Sequence, residues 1–292
     1  MGLILAMLPV PAKEAPKAQT AAAAEAHVDV FSGVQTAARG VYVFDAQNDK
    51  QLYAKNSSMQ LPLASITKVA TVLAVAEVLA PTSTVTISRG AVARGGGGLT
   101  WGEEWRVSDL IEYTLITSSN TGAEALAETA EPFLAAKYPD ATRSNATIWR
   151  MNALAQELGM HETYFINPTG LDESATQAGA QSSARDVATL FAYALRSHKE
   201  LFTGTAETNI PLGPINFPER YARNTNNALA DIPGLIMGKT GTTDLAGGNL
   251  AIAFNAAADH PVIVVVLGST PEARFNDVKK LVAAAQKSAL SD

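Results

Sequence analysis

The hydrophobic pattern changes period twice along the chain. From Gly40 it alternates, with Val41 and Val43 apolar beside Phe44, turns at Asp45 to Asp49, and resumes over Gln51 to Lys55, which predicts a β-hairpin. After Pro62 the period lengthens: Val69, Val72, Leu73 and Ala76 fall at i, i+3, i+4 and i+7, predicting a buried helix from about Ser65 to Leu79 that Pro81 stops. A second helical stretch, Val107 to Ala130, is interrupted around Thr117 to Thr121, and Ile148 to Leu158 and Ala184 to Ser197 supply further helices. Beyond Pro233 the strand pattern returns in Leu235 to Thr240, Asn249 to Asn255 and the β-branched run Val262 to Leu267, before a last helix from Pro271 to about Ser288. Strands at both ends with helices between predict an α+β fold: an antiparallel sheet built from N- and C-terminal strands, flanked by helices, with a mostly α-helical lobe inserted over about 82–205. Gly95 to Gly98 reads as a flexible surface loop, and no internal repeat is found.

At 292 residues and 47% apolar content the chain can bury one large core, and residues 31–292 read as one globular unit. Its net charge of -6 and the lack of a basic cluster interleaved with aromatics exclude nucleic acid as a partner. Cysteine is absent, which removes thiol nucleophiles, disulfides and Cys-based zinc sites and suits an exported chain. Residues 1–30 stand apart: an apolar run from Gly2 to Leu8, then Pro, Ala and Lys up to Ala21 to Ala24. They read either as the remnant of an export signal, without its basic region and broken by Pro9 and Pro11, or as a disordered linker. No run approaches the roughly 18–20 apolar residues of a membrane span.

The four histidines, His27, His161, His198 and His260, share no metal-binding spacing and read as ordinary surface or structural residues. No Gly-x-Ser-x-Gly elbow supports a Ser-His-Asp triad, so a different base is needed. Ser65 and Lys68 lie three residues apart at the start of the apolar helix, with β-carbons about 5–6 Å apart, so the amine can reach the hydroxyl. Lysine serves as a base only when neutral, which burial or a second cation brings about. Ser118-Ser119-Asn120 sits in the break between two helical stretches; it is either a helix N-cap or a hydroxyl and amide offered to a substrate. Gly238-Lys239-Thr240-Gly241-Thr242-Thr243 follows a predicted strand: Lys239 can place a fixed positive charge, Thr240 a hydroxyl for a carboxylate, and Gly241 room for an extended peptide on a strand edge. An ordinary hairpin turn is the alternative there, and the order of the residues excludes a phosphate-binding Walker loop.

Taken together, the three elements resemble the active-site set of penicillin-binding proteins and serine β-lactamases. The flanking sequence resembles the low-molecular-mass D-alanyl-D-alanine carboxypeptidases in Leu63 to Lys68, Met151-Asn152 with Leu158-Gly159-Met160, Asn167-Pro168-Thr169-Gly170-Leu171, Ser183-Ala184-Arg185-Asp186 and Asn224-Thr225-Asn226. The resemblance runs from about Gly40 to the end. It implies Ser65 as acylated nucleophile, Lys68 as its base, Ser118 and Asn120 as proton relay and peptide-binding amide, and Lys239 with Thr240 as holders of the terminal carboxylate. It further implies an oxyanion hole from the N–H groups of Ser65 and Thr242, and Arg274 as an arginine assisting Thr240. The implied reaction removes the last D-alanine from peptidoglycan stem peptides outside the cytoplasm, with no metal or other cofactor, with β-lactams as inhibitors and with no protein partner indicated.

The chain departs from the family in Ser119, where Gly is common, and in ending at Asp292 without the β-rich domain and membrane tail that many members carry. The expectation is therefore a soluble protein or one anchored through its N-terminus. A β-lactamase would add a Glu-x-x-Leu-Asn segment, for which Glu162 and Asn167 have the wrong spacing. A transpeptidase or endopeptidase, and a non-catalytic muropeptide or β-lactam sensor, remain as alternatives.

Overall fold

A computed structural model describes residues 2, 30–141 and 145–290. In chain order the elements are β1 (Gly40–Asp45), β2 (Lys50–Lys55), β3 (Leu61–Pro62), α1 (Lys68–Ala76), β4 (Thr84–Thr86), α2 (Arg89–Gly95), β5 (Glu104–Arg106), α3 (Val107–Thr117) and α4 (Asn120–Lys137). They continue with α5 (Ala146–Glu157), β6 (Tyr164–Phe165), β7 (Ala180–Ser182), α6 (Ala184–Ser197), β8 (Asn209–Leu212), β9 (Arg220–Arg223), β10 (Leu235–Thr243), β11 (Gly247–Ala257), β12 (His260–Ser269) and α7 (Ala273–Ala289). The main sheet has five strands in the order β10-β11-β12-β1-β2, antiparallel throughout, so the N-terminal hairpin pairs with the last strand, as the expected α+β fold requires.

Strand β12 shows why the sheet forms where it does. Val262, Val264 and Val266 face α7 and pack with Val278, Leu281 and Val282, while Ile263, Val265 and Leu267 face the helical side. A strand covered on both faces is apolar at every position, and β-branched side chains suit that surface. The second core, on the helical side, is larger and is centred on α1, whose residues from Lys68 to Val75 are all buried.

Three expectations need correction. The helix predicted over Ser65 to Leu79 is a 3-10 turn, Ala64–Thr67, followed by α1. Ala64 enters with φ 50°, in the left-handed region, which tightens the chain into the turn before the α-helix starts. Gly95 to Gly98 is not a free loop: Gly95 ends α2 and is buried against α4, where a β-carbon would come within 2.3 Å of the Thr121 backbone. Gly97 then accepts a hydrogen bond from Thr121 Oγ1 (2.7 Å), and Gly98 one from Arg220. The middle of the chain also holds three small sheets, β3-β7-β6, β4-β5 and β8-β9, whose strands of two to four residues are too short to show a period. The N-terminal segment, with His27, lies outside the described residues except for Gly2 and Val30. Among the described residues no helix is long and apolar enough to cross a membrane, and no group of acidic or histidine side chains could hold a metal ion.

Candidate active site

The 3-10 turn puts Ser65 one step ahead of α1, and Lys68, the first residue of that helix, points back at it. Lys68 is completely buried. Its Nζ has three partners: Ser65 Oγ at 2.8 Å, Asn120 Oδ1 at 2.7 Å and the Thr169 carbonyl at 2.8 Å. Two of these can only accept. A neutral amine has two N–H donors and one lone pair, so with the N–H groups given to Asn120 and Thr169 the lone pair is left facing the Ser65 hydroxyl. Burial, and after it the charge of Lys239, holds Lys68 well below the usual lysine range, against an opposing pull from Glu124.

The break between α3 and α4 fits both readings of Ser118-Ser119-Asn120, by dividing them among residues. Ser119 is the N-cap of α4 and accepts from Gly122 N–H at 3.0 Å. Ser118 closes α3 in the left-handed conformation (φ 61°), leaving its hydroxyl to accept from Lys239 Nζ at 2.8 Å. A non-glycine residue there stores backbone strain of order 1 kcal/mol. Asn120, one residue past the cap, reaches Lys68 as described.

Lys239, Thr240 and Gly241 lie within β10, the edge strand, rather than in a hairpin turn, so the turn alternative does not hold. Lys239 is 2% exposed and also donates to the Thr240 carbonyl at 3.0 Å. Burial, then repulsion from Arg274, lowers it to about 7, so its charge is conditional rather than fixed. Gly241 has a different reason to lack a side chain from the one expected: a β-carbon would lie 2.7 Å from Leu63 O and 3.2 Å from Ser65 N. The nucleophile turn and the edge strand are packed too closely for one. Arg274, on α7, reaches the Gly241 carbonyl at 2.6 Å and Thr242 Oγ1 at 2.5 Å, not Thr240. It backs the strand beside Thr240.

Several residues that shape the site were missed or left without a role. Asn167 Oδ1 accepts from Thr169 N–H (3.2 Å) and Gly170 N–H (2.7 Å), holding the loop whose Thr169 carbonyl meets Lys68. Gly170 crosses the Ser65 turn so closely that a β-carbon would lie 1.9 Å from Ala64 O. Asn249, fully buried on β11, donates both amide hydrogens to the carbonyls of Pro62 (2.9 Å) and Leu63 (3.0 Å), just ahead of the nucleophile. The Thr225 hydroxyl lies 2.6 Å from that of Thr240. The motif Asn167-Pro168-Thr169-Gly170-Leu171 was a visible signal for part of this; nothing local marks Asn249, whose partners lie 186 and 187 residues away. A cavity of about 540 Å³ lined by Glu124, Thr147 and Thr169 shares Thr169 with this network, and its lining includes neither Ser65 nor Lys68.

Comparisons with known proteins place the chain among D-alanyl-D-alanine carboxypeptidases and penicillin-binding proteins. The D-alanyl-D-alanine carboxypeptidase (peptidase S11) family model matches residues 21–271. D-alanyl-D-alanine carboxypeptidase DacF of Bacillus subtilis is 32% identical over 254 residues, 84% of this chain and 61% of the relative, so the chain spans less than two thirds of that protein. The D-alanyl-D-alanine endopeptidase of Pseudomonas aeruginosa is 30% identical over 80% of this chain and 72% of its own. Among solved structures, penicillin-binding protein D2 of Listeria monocytogenes in its ampicillin-bound form superposes with a TM-score of 0.73 at 26% identity, covering 87% of this chain and 98% of that one.

Proposed function

The chain belongs to the D-alanyl-D-alanine carboxypeptidase family, and from that premise we propose that residues 31–292, with a helical lobe over about 82–205, form a serine carboxypeptidase domain acting on peptidoglycan stem peptides outside the cytoplasm. The observation that carries this reading is the hydrogen-bond inventory of the buried Lys68, whose lone pair, in the neutral form that burial favours, faces Ser65. Ser65 Oγ attacks the carbonyl carbon of the D-Ala-D-Ala bond as its proton passes to Lys68 Nζ. The resulting oxyanion is held by the N–H groups of Ser65 and Thr242, a donor pair of which each member is typically worth about 10²–10³ in rate. As the tetrahedral centre collapses the C–N bond breaks, and the proton held by Lys68 passes by way of Ser118, whose hydroxyl is bonded to Lys239, to the leaving amine, which returns Lys68 to its neutral form. Water then attacks the ester, Lys68 taking its proton, and the shortened peptide leaves as Ser65 recovers its own.

Lys239 and Thr240 receive the terminal carboxylate, with Asn120 and the β10 edge aligning the peptide. An arriving anion favours the charged form of Lys239, so binding completes the charge that burial suppresses. β-Lactams, whose carboxylate and strained amide copy the dipeptide, acylate Ser65; ampicillin is bound in the Listeria relative. The endopeptidase-named relative favours a second reading, in which the same acyl transfer cuts a cross-link between stem peptides. Release of D-alanine from a peptide ending in Lys-D-Ala-D-Ala, compared with release of a stem from a cross-linked dimer, separates the two. Both products disappear in Ser65→Ala if the acyl-enzyme reading holds. A folded wild type that releases neither product contradicts it.

A further inference from the structure

Asn224-Thr225-Asn226 has no part in the steps above, yet it is held as firmly as the residues that do. Asn224 Nδ2 donates to the carbonyls of Thr205 (2.9 Å) and Glu207 (2.8 Å), Asn226 N–H to Asn224 Oδ1 (2.9 Å), and Thr225 N–H to Ile116 O (3.2 Å). The segment thereby fixes the half-buried Thr225 with its hydroxyl 2.6 Å from Thr240 Oγ1 and 3.4 Å from Ile116 O.

Two hydroxyls carry two protons, and the proton in the 2.6 Å contact can come from either side. With the site empty, Thr240 can donate to Thr225, which then has its own proton free for Ile116 O at 3.4 Å. With an anion at Thr240, that hydroxyl's single proton goes to the ligand, and the short contact holds only if Thr225 donates to Thr240. Thr240 is 4% exposed, so solvent does not readily replace that donor. Burial of a hydroxyl oxygen without its partner is costly, which ties the direction of one proton to the other.

We propose that Thr225 is a positioning residue of the carboxylate subsite, donating to Thr240 and so aiming the Thr240 proton at the substrate's terminal carboxylate. The proposal rests on the reading that this groove takes a C-terminal carboxylate. It extends that reading by giving selectivity for the free acid to a residue outside the three motifs.

The test uses binding to the full-length Ser65→Ala variant, which needs no reaction. Affinities for an N-acylated D-Ala-D-Ala peptide and for its C-terminal amide are measured by NMR titration, with Thr225→Val and Thr225→Ser added. Valine keeps the shape and removes the donor. It should lower the acid-to-amide affinity ratio by about tenfold, while serine keeps the ratio near that of the parent. Melting curves confirm that both variants fold. An unchanged ratio in Thr225→Val, or equal losses for acid and amide, overturns the proposal, as does a parent with no preference for the acid. Failure of the wild type to release D-alanine while the acid preference and its loss in Thr225→Val persist removes the carboxypeptidase reaction and leaves the role of Thr225 standing.

Discussion

The site contains two buried lysines, each hydrogen-bonded to a serine hydroxyl at 2.8 Å, and the two pairs are set up for opposite tasks. Lys68 has three partners and no room for a fourth. In its neutral form its lone pair faces Ser65, and burial, with the charge of Lys239 after it, favours that form. Lys239 has two protein partners, Ser118 Oγ and Thr240 O, and with a third N–H position unfilled among the described residues it sits near neutrality. The difference teaches that burial alone does not set a lysine's role. On the proposed reading, burial beside a second cation suits Lys68 to act as a base, and an open N–H position beside a strand edge suits Lys239 to receive an anion.

Removing each amine should break the comparison most visibly. Lys68→Met should lower D-alanine release by about 10³–10⁴ in kcat with little change in KM, as loss of a general base does. Lys239→Met should act mainly on KM, with kcat/KM for a free-acid peptide down by about 10–10², the worth of one charge-assisted hydrogen bond, and with much less effect on the C-terminal amide. Steady-state kinetics on both substrates checks this pair.

Stability as a function of pH separates the lysines without turnover. Lys239 binds its proton less tightly in the native chain, at about 7, than in the unfolded chain, near 10.5. Between those values the unfolded state carries the extra proton, so this group's contribution to stability rises with pH; below about 7 the penalty of a buried charge is felt in full. Lys239→Met removes the penalty, so its gain in Tm over the wild type should shrink by roughly 5 °C between pH 6 and pH 9 in thermal melts. A gain that stays constant would mean that Lys239 titrates as an ordinary lysine. At the small end, His260→Gln breaks the contact with Asp45 at 2.9 Å, at the end of β12 away from Gly241, and D-alanine release should stay within about twofold while stability falls by about 1 kcal/mol. A large kinetic loss there would restore a histidine to the mechanism.

The sheet, α6 and the break between α3 and α4 were legible because each carries its signal locally. β12 is apolar at every position from Val262 to Leu267, α6 keeps one face over Ala184–Ser197, and Ser119 caps where a cap was expected. Ser65, Lys68, Ser118, Asn120, Lys239 and Thr240 could be named from motif order, and the structure joins them in two hydrogen-bonded sets, Ser65 and Asn120 about Lys68, and Ser118 and Thr240 about Lys239. What stayed hidden depends on contacts far apart in sequence. The 3-10 turn at Ser65 follows from Gly241, Gly170 and Asn249 crowding one short segment from three directions. The pairing of Lys239 with Ser118, across 121 residues, is likewise set by folding and not by spacing. Arg274 was placed near the right strand, but its partners Gly241 and Thr242 could be read only from coordinates.

Both Ser65 and Ser118 are half-buried and bonded to a lysine, so the division of labour is tested most directly by asking which of them becomes acylated. The wild type is incubated with a penicillin, digested, and mapped by mass spectrometry. One acyl group on the peptide containing Ser65, absent in Lys68→Met and still formed, more slowly, in Lys239→Met, is the result predicted. An adduct on Ser118, or one on Ser65 that forms equally fast without Lys68, contradicts it.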